Sequence, residues 1–144
     1  MAEREGLQSL AYLGDVFPLP FQGYVTTERK IAENSGQVKR WARAVVKGLM
    51  YLRERPEEAA DIGMKKLRFG KMNKPMLTEA IKAHARALPP GVPGLPTLEG
   101  VKNILEYEIR LPLKIEETLA ADRFLDLRWI AEVKKEFELK KASK

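Results

Sequence analysis

The chain contains no cysteine, one histidine, and no uninterrupted apolar run longer than a few residues. Without cysteine there is no disulfide, no thiol nucleophile and no thiolate metal ligand, and the compartment stays open on this count. Short apolar runs exclude a transmembrane helix, which needs roughly 20 predominantly apolar residues. The opening Met1-Ala2-Glu3-Arg4-Glu5 is polar and lacks the apolar core of a secretory signal. His84 stands between Ala83 and Ala85 and reads as a helix residue rather than a general base. No His, Asp and Glu residues fall at metal-ligand spacing, so neither a metal nor another cofactor is expected. Gly-rich phosphate cradles of the GxGxxG or GxxxxGK[ST] type are missing too. The carboxylate pairs Glu57-Glu58, Glu106/Glu108 and Glu116-Glu117 point in divergent directions on a helix, which suits capping and solubility rather than an acid/base dyad. These absences together argue against an enzyme.

What is present suits a globular protein: 144 residues, 44% hydrophobic and 32% charged, enough for one domain spanning 1–144 with a buried core. The net charge of +6 is unevenly spread. Between Lys65 and Arg86 there are seven bases and one acid, Glu79, whereas Glu116 to Asp126 holds four acids and one Arg. A basic face suits nucleic acid, an anionic lipid surface or an anionic ligand. The bases are nevertheless distributed around helix faces, as on an ordinary solvated surface.

Residues 1–9 and 140–144 read as loose ends. Gly14-Asp15 signals a turn, and Pro18 and Pro20 force an extended approach. The run Phe21–Thr26 (FQGYVT), aromatic and β-branched, predicts a strand. Thr26 or Thr27 then caps a short helix that ends at Asn34-Ser35-Gly36. From Val38 the apolar residues Val38, Trp41, Ala42, Val45, Val46, Leu49 and Leu52 recur at helical spacing, which predicts a long amphipathic helix with Trp41 buried. Pro56, followed by Glu57 and Glu58, opens the next helix. Gly70 is the expected cap closing it, and Asn73 caps another running to Leu88. The segment 89–96 (PPGVPGLP) is too rich in Pro and Gly for regular structure and reads as a surface loop. Thr97 caps a helix stopped by Pro112, and Asp126 caps a final one carrying Trp129 on its apolar stripe.

The succession of strand, TTERKIAEN and VKRWARAVVKGLMYLRERPEEAA, from Val16 to Ala60, resembles the C-terminal half of the periplasmic substrate-binding proteins of ABC transporters. The subgroup is that of the nitrate, sulfonate, taurine and thiamine-precursor binding proteins. There too a strand leads to a helix, an Asn-containing break, a long helix and an Asn-Pro-Glu-Glu-Ala-like restart; Arg55 stands where the family often has Asn. The likeness covers roughly Leu10 to Phe137, is most specific between Pro18 and Ala60, and weakens after Leu88.

The resemblance implies an α/β fold: part of a type II periplasmic-binding-protein architecture, here predominantly helical with one or two short strands. It implies a solute-binding component of an ABC importer that takes a small anionic solute, is periplasmic or extracellular and membrane-associated, and meets the transporter permease. Family members run to about twice this length, so the chain reads as a C-terminal fragment. In the family the chain crosses near the ligand cleft around Gly14, Asp15, Phe17 and Gln22. These four join a turn to the predicted strand, and ligands of α/β folds lie at strand ends. An uncovered edge on that strand leads to the further expectation of a homodimer. No nucleic-acid partner follows from this reading. The alternative, from another class, is a basic helical interaction module that binds an acidic partner or nucleic acid. A third reading, an enzyme related to pyrimidine-precursor synthases of the same fold, is disfavoured by the single His and missing Cys.

Overall fold

A computed structural model describes residues 6, 8, 10–11, 13–20, 23–68, 72–123 and 125–142. Every regular element among them is helical. The chain falls into two compact units, one built from 1–35 and 95–128, the other from 36–94 and 129–144.

The second unit is organised by a long helix, α3 (Ser35–Glu54), and the final helix, α7 (Arg128–Ala142). On α3, Ala42, Val46 and Met50 form one row at i, i+4 spacing, and Lys39 and Arg43 form the row beside it. On α7, Trp129, Val133 and Phe137 make the matching apolar row, and Glu132 and Glu136 the matching acidic one. Apolar meets apolar: Ala42, Val46 and Val133 are buried together with Val92, flanked by Met50, Trp129, Ile130 and Phe137. Base meets acid: Lys39 Nζ lies 2.7 Å from Glu132 and 3.0 Å from Glu136, and the Arg43 guanidinium lies 2.7 Å from Glu136. Full burial of a valine stabilises by about 1.5–3 kcal/mol, so the apolar row supplies the energy. The part-exposed ion pairs chiefly select the register in which the rows meet.

The Pro/Gly-rich segment closes this core. Val92 and Pro93 are buried, whereas the sequence alone suggests a surface loop. Arg53, in the last turn of α3, donates to the carbonyls of Pro89 (3.3 Å) and Gly91 (2.6 Å) and holds the segment down. Gly94 takes φ +119°, which favours glycine, and a Cβ there would touch both Val46 and Ile130 at 3.4 Å. Two further helices, α4 (Pro56–Lys66) and α5 (Lys74–Ala87), pack on each other through Ala59, Ala60, Leu77 and Thr78, with Lys74 and Asp61 paired at 2.7 Å. Pro56 and two glutamates start α4 and the Asn73 side chain caps α5, as the sequence predicts. The expected cap at Gly70 lies outside the described residues.

The first unit contains α1 (Leu13–Val16), α2 (Glu28–Glu33), α6 (Leu98–Asn103), a π-helical continuation over Ile104–Arg110, and a 3-10 turn at Ala121–Arg123. Thr27 and Thr97 cap α2 and α6 with their hydroxyls. Val101 and Leu105 are the buried residues of the α6–π segment. Glu106 and Arg110, four residues apart along it, form an ion pair, and the Arg110 guanidinium also reaches the Ile115 carbonyl at 3.3 Å.

Several expectations are corrected here. The α/β architecture is overturned, because no strand occurs among the described residues. Phe21 and Gln22 of the expected strand lie outside them. Gly23–Thr26 is irregular, with Tyr24 and Val25 exposed. A strand persists only as part of a ladder, and no segment among the described residues supplies one, so the β propensity of Gly23–Thr26 goes unused. The second correction is Trp41, which is 46% exposed. Ala42 and Val46 are small enough to admit a close helix, and Trp41, about 100° around from Ala42, is left on the flank. The short helix also breaks at Asn34 alone, and α3 already begins at Ser35. Helix α7 continues through Ala142, past the start of the expected loose end.

Two measurements check this account. Val133→Ala should cost about 2 kcal/mol in denaturant unfolding, and Trp41→Ala should cost about 1 kcal/mol or less. The reverse order would contradict the seam. The second concerns acid. Arg43 first, and then Lys39, hold the Glu136 carboxyl below its ordinary range. The unfolded chain therefore takes up the proton first as pH falls. The stabilisation is complete above the ordinary carboxylate range and is lost as pH drops through the lower folded value. Glu136→Gln should flatten the loss of thermal stability on acidification, measured as Tm against pH.

Candidate functional site

The sequence points first to Gly14, Asp15, Phe17 and Gln22. Gly14 and Asp15 belong to α1, and the Phe17 N–H extends that turn by donating to the Leu13 carbonyl at 2.8 Å. The Phe17 ring meets Tyr107 edge-on, with centroids 5.2 Å apart and planes at 70°. Such a pair anchors the segment to the π-helical stretch. Gln22 lies outside the described residues. Thus three of the four residues share one turn, and the contact the structure gives Phe17 is with another side chain of its own unit.

The crossing chain behind them is fixed closely. Asn103 Nδ2 donates to the Pro18 carbonyl at 3.1 Å. Gly100 is buried beneath the same stretch: a Cβ there would lie 3.0 Å from Thr97 Oγ1, 3.1 Å from Pro20 Cδ and 3.4 Å from the Pro18 carbonyl oxygen. Near it, Pro96, Leu98, Val101, Leu125, Leu127 and Asp122 line a cavity of about 300 Å³. Its walls are aliphatic and its one ionised group is a carboxylate, which is the wrong sign for an anion.

The second unit holds a chemically different groove of about 450 Å³, lined by Lys47, Met50, Tyr51, Glu54, Arg55 and Phe137. Helix α3 supplies Lys47, Tyr51 and Glu54 from successive turns, and Arg55 follows at its end. Met50 and Phe137, already packed on the α3–α7 core, make an apolar floor. The Arg55 guanidinium lies 6.0 Å above the Tyr51 ring and 3.3 Å from Glu58. The Tyr51 hydroxyl donates to Glu58 at 3.0 Å, and that hydrogen bond raises its pKa above the ordinary value. Arg55 has five N–H donors and satisfies few of them at Glu58. Lys47 makes no ion pair among the described residues and has three. A lining of two cations, one carboxylate and the apolar Met50 and Phe137 suits a small molecule with an anionic head and a short apolar body.

Sequence reasoning passes over this groove. Its signal was visible as the i, i+4 series Lys47, Tyr51, Arg55, but Phe137 comes from the other end of the chain. Among the described residues no three His, Asp or Glu side chains gather as a metal would require, and His84 is exposed on α5. One variant tests the crossing segment. Gly100→Ala gains helix propensity but crowds Thr97 and Pro20; it should lower stability by about 1 kcal/mol in chemical denaturation, and a stabilised variant would show that the segment yields. Comparison with protein-family models, curated proteins and solved structures finds no match to this chain.

Proposed function

We propose that this chain recognises a small organic anion for an ABC importer, as the C-terminal part of the importer's solute-binding component. The observation that carries the reading is the α3 groove, whose lining combines Lys47 and Arg55 with Met50 and Phe137. A sulfonate or carboxylate head accepts charge-assisted hydrogen bonds from the two cations, and a short carbon chain covers the apolar floor. No step of this requires a nucleophile, a metal or a redox group, so the role is recognition without chemistry. The importer itself comes from the resemblance between Pro18 and Ala60. The partner this reading implies is a transporter permease, met in the periplasm or extracellularly at the membrane.

Isothermal titration with taurine, methanesulfonate and nitrate tests the reading. Binding of at least one should be saturable, and Arg55→Ala and Lys47→Ala should each weaken it about tenfold to a hundredfold. Heat absent with every anion, or binding indifferent to both substitutions, would sink it. Salt-sensitive capture of duplex DNA in place of anion binding would move the assignment to a basic interaction module.

A further inference from the structure

The acidic stretch from Glu116 to Asp126 has no part in the solute groove, yet it walls the cavity of the first unit. Every described residue lining this cavity of about 300 Å³ belongs to 95–128, within that one unit. Two short segments supply most of the wall. Leu98 and Val101, three residues apart on α6, share a helix face, and the Thr97 cap fixes the start of that helix. The 3-10 turn supplies Ala121 and Asp122. Leu125 is tied to that turn, its N–H donating to the Ala121 carbonyl at 3.1 Å. Val101 is buried, whereas Leu98 is 66% exposed and Leu125 39%, so the cavity opens to water and its apolar lining is only partly covered.

Aliphatic walls alone would suit a neutral guest, and Asp122 changes that. It makes no ion pair among the described residues, nor do Glu116 and Glu117. Asp126 is taken by Arg128, whose guanidinium donates to it at 2.7 and 2.8 Å. The stretch holds four acids against Arg123 alone, so its field is negative and draws cations toward the cavity. We propose that this cavity binds a small aliphatic ammonium ion, its alkyl chain against Leu98, Val101 and Leu125 and its charge on Asp122. The size fits, since small-molecule sites begin at roughly 300 Å³. A metal ion fits less well, because a single carboxylate among aliphatic walls offers it few oxygens. The ammonium site shares no described residue with the solute groove and stands whether or not that groove takes an anion.

Titration of the full chain with hexylammonium chloride, followed by backbone amide chemical shifts, supplies the test. The shifts should saturate and centre on residues 98–101 and 121–127. Affinity should rise about fourfold for each methylene added between ethylammonium and hexylammonium. Asp122→Asn, at an exposed position, should weaken hexylammonium binding about tenfold or more and leave hexanol binding unchanged. Ala121→Leu, which adds bulk to the wall, should weaken both while circular dichroism stays unchanged. Hexanol bound as tightly as hexylammonium, or indifference to Asp122→Asn, overturns the ammonium site and gives the cavity to neutral guests. No saturable shift with any of the amines overturns it as well. So does an equal response to every chain length, which would mark attraction to surface carboxylates only. Shifts that follow protein concentration in place of amine would assign the cavity to a second copy of the chain.

Discussion

The second unit depends on the seam where α3 and α7 meet. The two rows on each helix are set by i, i+4 spacing, and they match only in one register: Ala42 and Val46 against Val133, Lys39 and Arg43 against Glu132 and Glu136. A shift by one residue on either helix turns the apolar row about 100° away from its partner and sets bases against valines. The ion pairs are too exposed to supply much energy. Their value lies in penalising the wrong alignments, which leave a charge facing an apolar row.

The same seam builds the groove. Below the core, α3 continues as Lys47, Tyr51 and Glu54, and the apolar floor is the lower edge of the packing, Met50 with Phe137. Lys47 is thus placed by a helix held by the buried Val46 beside it, and Arg55 follows directly after that helix ends at Glu54. Arg53 ties the buried Pro/Gly segment to the end of that helix and limits fraying just before Arg55. Recognition of a small anion here would depend on a preformed scaffold rather than on ordering a loop, which lowers the entropic cost of binding.

In the first unit the order runs differently. Little of the chain around α1 is buried, and what holds it is a small set of specific contacts: Phe17 on Tyr107, Asn103 on the Pro18 carbonyl, and Gly100 beneath Pro18 and Pro20. Such contacts demand particular residues at particular places and leave no periodic mark in a sequence. That is why Gly100 reads as an ordinary helix residue until the proline segment is seen lying over it.

The sequence by itself determined the local elements. Thr27, Asn73 and Thr97 hydroxyl or amide caps, Pro56 with its two glutamates, and the three-and-four spacing of α3 are decided within a few residues, because capping and helical periodicity act over one turn. Tertiary structure decided everything that needs a distant partner. Gly23–Thr26 has strand propensity but gains no ladder; Trp41 shares the apolar stripe but yields the core to the smaller Ala42 and Val46; and Val92 leaves an apparent surface loop to complete that core. The residues of the groove were legible only as far as Arg55. Phe137 joins them because α7 returns to α3 across 93 residues of sequence between Arg43 and Glu136, and no local rule encodes which helix a long chain brings back.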